Sequence, residues 1–205
     1  MRAAVPIALV IAASACNTIT QPTQMVSQPA LAWRDLASRN DEQRLRDWRK
    51  TFVEAVAAAR KGGHAMEVAA EGALLDPDAA IGGPIPNGDY NCRLIKLGAK
   101  GQGMLDFVAY PAFRCRVSAE GRLQKFAKLT GSQRQVGLLF PGDAMREVLL
   151  GSLALGDEQG AMQYGQDEMR NVVGYVERIG ANRWRLIMPK PHFESQMDVM
   201  ELVPA

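Results

Sequence analysis

Metal-binding residues are scarce in this chain: three cysteines and two histidines are scattered over 205 residues, which leaves no zinc ribbon, zinc finger or haem-attachment motif to build. An excess of one charge is also missing. Twenty-four Lys and Arg against 22 Asp and Glu leave +2, too little to make nucleic acid the default partner. No G-x-S-x-G, P-loop, H-E-x-x-H or G-x-G-x-x-G pattern occurs, so the common hydrolase, phosphate-loop, metalloprotease and dinucleotide signatures are excluded. The acidic pairs Asp157-Glu158 and Asp167-Glu168 lack the alternating oxygens of a calcium loop. What the chain does have is 47% hydrophobic and 22% charged residues, a globular balance that rules out wholesale disorder. Its length suits one domain with a self-sufficient core.

The first residues read as an address. Arg2 supplies a positive start, Ala3 to Ala13 are uncharged and apolar, and Ala13-Ser14-Ala15 precede Cys16. This is the pattern of an export signal over residues 1–15, and the apolar run falls short of the roughly 20 residues a membrane span needs. Ala-Ser-Ala-Cys also resembles a bacterial lipobox, with Ala13 where Leu is usual, which predicts lipidation of Cys16. Cleavage after Ala-x-Ala would cut the same bond and yield a plainly secreted protein instead. An anchor at Cys16 uses one thiol and leaves an even pair, Cys92 and Cys115. Residues 16–32 are rich in Thr, Gln and Pro, the composition of a flexible tether. The expected location is the periplasm, on a bacterial membrane and most naturally the outer one, with the membrane as a partner through Cys16.

The globular part is expected over residues 33–205. Trp33 and Leu36 suggest a short leading helix. Asn40 and Gln43 form a candidate capping box, and Leu45, Trp48, Phe52, Val56 and Ala59 recur at helical spacing until Gly62-Gly63. A weaker helical pattern runs from Ala65 to Leu75, so residues 33–81 read as a helical hairpin. Residues 82–88 break all periodicity. From there the period becomes two, with strands expected at Tyr90–Leu97, Leu105–Tyr110, Phe113–Ser118, Leu123–Thr130, Gln133–Phe140, Val148–Leu155, Asn171–Ile179, Arg183–Met188 and Met197–Val203. No helical stretch between them is long enough for a parallel crossover. The fold class is therefore α+β, a helical hairpin packed on an antiparallel meander barrel of eight or nine strands over residues 88–205, with a β-sandwich as the alternative. Trp184 shares a face with Leu186 and Met188 and should be buried.

The strings GDYNCRLIKLG (88–98), LTGSQRQVGLLFP (129–141) and GYVERIGANRWRLIMPKPHFES (174–195) resemble the domain-of-unknown-function 4893 family of exported bacterial proteins, over Trp33 to Pro204. The resemblance implies an envelope protein and brings no catalytic residues with it.

Few residues point to chemistry. Cys92 alternates with Tyr90 and Leu94, and Cys115 with Phe113 and Val117, so both face inward. A disulfide is the expectation in an oxidising compartment, closing a loop that stabilises by roughly 3.5 kcal/mol, with two buried thiols as the alternative. Arg93, Arg114 and Arg116 fall on the outward face, as do Arg46, Arg49 and Lys50 on the helix, and both sets read as solvated. His64 follows a helix stop, and His192 is followed by Glu194 and Ser195, whose side chains diverge too much for a triad. No residue receives a catalytic, metal or cofactor role. The remaining signal is a candidate basic cup. Alternation places Lys128, Thr130 and, past Gly131-Ser132, Arg134 on the face of Phe126, Val136 and Phe140. Lys128, Thr130, Ser132 and Arg134 would then bind an anionic small ligand at the barrel mouth. The blander alternatives are snorkelling lysine and arginine, inward charge that blunts edge pairing, or internal salt bridges to Glu177 and Glu201. The functional expectation is a lipid-anchored, non-enzymatic envelope protein that binds a small ligand or an envelope partner. Its rivals are a protein-interaction or protease-inhibitor module, favoured if the barrel interior is solid, and an enzyme, favoured if a cleft holds a perturbed acid/base pair.

Overall fold

A computed structural model describes residues 32–205, which lie in a single compact unit. The expected export signal, Cys16 and most of the tether lie outside the described residues. Among the described residues, no helix is long and apolar enough to cross a membrane.

Helix formation begins two residues before the Asn40 of the expected cap. The Ser38 hydroxyl accepts the Asp41 backbone N–H at 3.1 Å and starts α1 (Arg39–Arg46). Asp41 and Glu42 then lie in the first turn and Arg44 and Arg46 in the last, each complementing the helix dipole. The chain breaks at Asp47 and resumes as α2 (Trp48–Ala59), whose Phe52, Ala55, Val56 and Ala59 form one buried stripe. Gly63, at φ 98°, makes the bend that β-carbon-bearing residues resist, and a short α3 (Ala65–Ala70) follows.

Nine strands follow: β1 (Gly88–Ala99), β2 (Phe107–Ala109), β3 (Phe113–Glu120), β4 (Leu123–Lys128), β5 (Gln133–Pro141), β6 (Arg146–Leu155), β7 (Asn171–Gly180), β8 (Arg183–Pro189) and β9 (Ser195–Pro204). All pairings are antiparallel, and β9 returns to pair with β1, closing eight strands into a barrel. The extra strand β2 takes over the β1 edge at Ile95–Leu97, beyond the point where β3 leaves it. The expected meander barrel is thus the observed one, and closure removes exposed edges along most of the sheet.

Alternation sorts the side chains into two cores. Inside the barrel, Phe126, Leu139, Leu149, Trp184, Leu186 and Met200 belong to one buried cluster, with Trp184 4% exposed. Outside it, Ile95, Leu97, Ile187, Met197 and Val199 are covered by α2 and α3, while Phe140, Val148 and Leu150 are covered by Trp33 and Leu45. The interior is therefore packed. Gly137 and Gly151 face each other across β5 and β6 so closely that a β-carbon on Gly137 would sit 2.6 Å from the Gly151 Cα. That approach leaves Phe126, paired with Gly137, its place in the centre. The loop at residues 82–87 plugs one end. Ile85 is buried in the inner cluster there, and its N–H donates to Glu147 at 2.8 Å.

The helical layer is fastened to the barrel by buried charge. Arg185, fully buried, pairs with the equally buried Glu177 at 2.6 Å and donates to the carbonyls of Ala73, Leu74 and Asp76. Those carbonyls lie at the end of the helical segment, where helical donors run out, and Ala73 and Asp76 each also accept one backbone N–H, from Asp76 and Ala79. Glu177 also pairs with Arg146, and Glu201 with Arg93 and Arg183. Neither acid reaches Lys128 or Arg134, so the internal salt bridges considered from the sequence are not the ones that form.

Candidate functional site

The end of the barrel opposite Ile85 is polar. Lys96 follows Leu94 on the inner face of β1, Lys128 follows Phe126 on that of β4, and Gln133 and Gln135 open β5. Asp198 lies on β9 directly across from Lys96. Gln133 joins the two lysines: its side-chain Oε1 accepts from Lys96 Nζ at 3.1 Å, and its backbone carbonyl from Lys128 Nζ at 2.8 Å. Lys96 also pairs with Glu194, whereas Lys128 rests 3.6 Å from the centre of the Phe113 ring. Lys128 is 3% exposed. Burial, with Lys96 and Arg134 nearby, pushes its ammonium down to about 8. Asp198 accepts from the Ser195 hydroxyl. Burial pushes its carboxyl up to about 6, against the opposing pull of Lys96 and Ser195.

Residues 190–194, between β8 and β9, fold over this mouth. Among the described residues, the non-glycine positions with positive φ are Lys190 at 47° and Glu194 at 64°, both in this loop. Such backbone costs of order 1 kcal/mol each and persists because the surroundings impose it. Arg44 Nε donates to the Pro189 carbonyl at 3.0 Å, Lys100 Nζ to that of Pro191, and the Lys100 N–H to that of Glu194. Arg44 is itself held by Asp41 at 2.6 Å. Burial alone would raise the Asp41 carboxyl, but bonds from Tyr164, Arg44 and Ser38 outweigh it and hold the group low.

Beneath the loop lies a cavity of about 30 Å³ lined by Lys96, Gln133, Gln135, Met188, His192 and Asp198, among others. That is space for a water or two. Gln135 Oε1 and His192 Nε2 are buried on it without a partner. Burial and the Arg44 charge hold the His192 imidazole below its ordinary value. The Ser195 hydroxyl donates to Asp198 and not to His192. Among the described residues, no group of three or more His, Cys, Asp and Glu is placed to hold a metal.

Of the four residues expected to form the basic cup, Lys128 alone lies there. Arg134 is on the outer face, where it donates to the carbonyls of Gly131, Gly156 and Glu158. The exposed Thr130 accepts the Arg114 N–H through its hydroxyl, and Ser132 is exposed in the turn. The reason is parity. Ala127 pairs with Val136, so each β4 position faces a β5 position of opposite parity, and counting even numbers through a two-residue turn crosses the wall. The inward partners of Lys128 are Gln133 and Gln135. Lys96 was legible as alternating with Leu94, but its meeting with Asp198 depends on barrel closure. In the inner cluster Cys92 and Cys115 are joined by a disulfide, with Cα atoms 5.9 Å apart.

The fold and site define an α+β domain with a closed, filled antiparallel barrel, a helical layer on one flank and a buried polar mouth. Residues 33–202 match the family described as Domain of unknown function (DUF4893), and the chain belongs to that family. No curated protein and no solved structure matches it.

Proposed function

We propose that this is a bacterial envelope protein, exported by its leader and tethered through a lipid on Cys16, whose barrel mouth binds a small anionic group without turning it over. The observation that carries the binding is Lys128. Its buried ammonium bonds to a neutral carbonyl and rests on a ring, beside a second lysine. A buried cation lacking a counter-ion is unfavourable by several kcal/mol, and an incoming carboxylate or phosphate would give it charge-assisted hydrogen bonds. Gln135 and His192 supply further unused polar atoms on the small cavity that Lys96 lines. Asp198 and Lys128 both titrate near neutrality, as an acid/base pair would. The cavity holds only a water or two, so an anion is placed outside it on Lys96, which also lines an open depression of about 290 Å³ that Asp198 does not line, and this favours binding over turnover. The envelope address draws support from the apolar leader ending at Cys16 and from a disulfide of the kind that persists in oxidising compartments.

The filled interior favours a second reading, a protein-interaction or protease-inhibitor module that uses the barrel as a rigid scaffold. Melting curves with acetate or inorganic phosphate, at matched ionic strength, separate the two. Under the anion reading either salt raises the melting temperature at pH 7, and Lys128→Met abolishes the rise; no shift from either anion favours the scaffold. Intact-mass analysis of the membrane fraction checks the tether, since a soluble product with a free Cys16 would overturn it.

A further inference from the structure

Beside the small cavity, on the outer side of the Lys96–Glu194 ion pair, lies a depression of about 290 Å³ lined by Met104, Leu105, Val108 and Tyr110 together with Lys96, Glu194 and Ser195. Lys96 lines both spaces. Leu105 is 65% exposed and Met104 46%, so large apolar side chains stand in water on the depression that Lys96 lines, and Gln133 joins Lys96 to Lys128, which lacks a carboxylate. The carboxylate that does reach Lys96 comes from a residue in left-handed backbone, and its side chain is 46% exposed. A carboxylate so mounted can leave for solvent by side-chain rotation alone, without breaking a strand.

Resting on the anion reading above, we propose that the mouth binds a single-chain anionic amphiphile. Its head group replaces the Glu194 carboxylate on Lys96, within the field of Lys128, and its chain lies along Met104, Leu105, Val108 and Tyr110. Glu194 is then a built-in competitor that occupies the head-group position when the site is empty. Apolar burial supplies what the small cavity cannot, because affinity grows with each methylene removed from water.

The experiment is isothermal titration calorimetry of the purified protein with acetate, hexanoate and decanoate, below the aggregation threshold of each, and with decanol as the uncharged control. Affinity should rise about three- to fourfold per added methylene until the depression is filled. Decanol should bind at least tenfold more weakly than decanoate. Glu194→Gln should tighten decanoate about tenfold, and the uncharged Leu105→Ser should weaken decanoate several-fold more than it weakens acetate. Both positions are exposed, and circular dichroism confirms that the variants fold. Acetate and decanoate binding equally would overturn the amphiphile while leaving the anion site standing, whereas no binding by any acid defeats both. Decanol binding as tightly as decanoate overturns the head-group assignment. Weaker binding by Glu194→Gln overturns the competitor role, and binding to phosphatidylglycerol vesicles without binding of decanoate overturns the single-chain ligand.

Discussion

Replacing Lys128 by methionine removes a buried ammonium that has no carboxylate of its own, and the protein should become more stable as a result. The folded state holds this group down to about 8, from an ordinary 10.5, chiefly by burial and then by the neighbouring Lys96 and Arg134 charges. At about 1.4 kcal/mol per unit, such a shift disfavours the charged form by about 3 kcal/mol at pH 7. The variant also loses the bond to the Gln133 carbonyl and the contact with the Phe113 ring. Together these are worth about 1 to 2 kcal/mol, which leaves a net gain of about 1 to 2 kcal/mol. For a domain of this size the melting temperature should rise by about 3 to 6 °C. The pH dependence supplies an independent check. Between pH 8 and 10.5 the unfolded parent binds this proton and the folded parent does not, so parent stability rises with pH across that window. The advantage of the variant should therefore be full below pH 8 and shrink above it. Calorimetric melts of both proteins from pH 6 to 10 test this. A variant that melts below the parent at pH 7, or a difference that stays constant to pH 10, refutes the view of Lys128 as an uncompensated cation.

Other perturbations have defined outcomes. Reducing the Cys92–Cys115 bond, which spans 23 positions, should cost about 3.5 kcal/mol in denaturant titrations; an unchanged midpoint would mean the inner cluster needs no staple. Arg185→Met strips Glu177 of its most buried partner and removes the guanidinium donor from the Ala73, Leu74 and Asp76 carbonyls, so a loss of about 3 to 5 kcal/mol is expected by urea unfolding. A loss below about 1 kcal/mol would show that Arg146 alone suffices for Glu177. Asp198 is held up to about 6 from 3.8 mainly by burial, so the folded state binds the extra proton between those values and this group lowers stability as pH rises from about 4 to 6. The Asp198→Asn variant should lack that fall, and parallel stability profiles for parent and variant would contradict it.

Local patterns were readable wherever a segment's environment repeats along the chain. Nine strands form where nine are expected, bounded by turn residues, although β6 and β8 are buried on both faces and alternate poorly, and the burial of Trp184 follows from its neighbours alone. The stripe of α2 was equally plain, and the expected stop at Gly62-Gly63 coincides with the bend at Gly63. The helix starts two residues before the position the pattern favours, because Asn40 and Ser38 both suit a cap and only the packed chain puts the Ser38 hydroxyl on the Asp41 N–H. In the site, Lys128 was recognisable as a basic residue on an apolar face. Arg134 faces outward because β4 and β5 pair residues of opposite parity across the Gly131-Ser132 turn, which alternation along one strand does not reveal.

By itself the sequence determined the class of the fold, since periodicity and turn chemistry are local and each strand records which of its faces meets apolar surroundings. It also singled out the cysteine pair and one lysine of the mouth. Which face is inside, and what meets there, was decided by closure. Joining β9 to β1 sets Lys96 against Asp198 across about a hundred positions, and the β8–β9 loop brings Glu194 onto Lys96. The same closure fills the interior and leaves a water-sized cavity at one end. No local rule encodes such distances, because a barrel wall has two faces of alternating residues and only register and closure say which of them encloses the site.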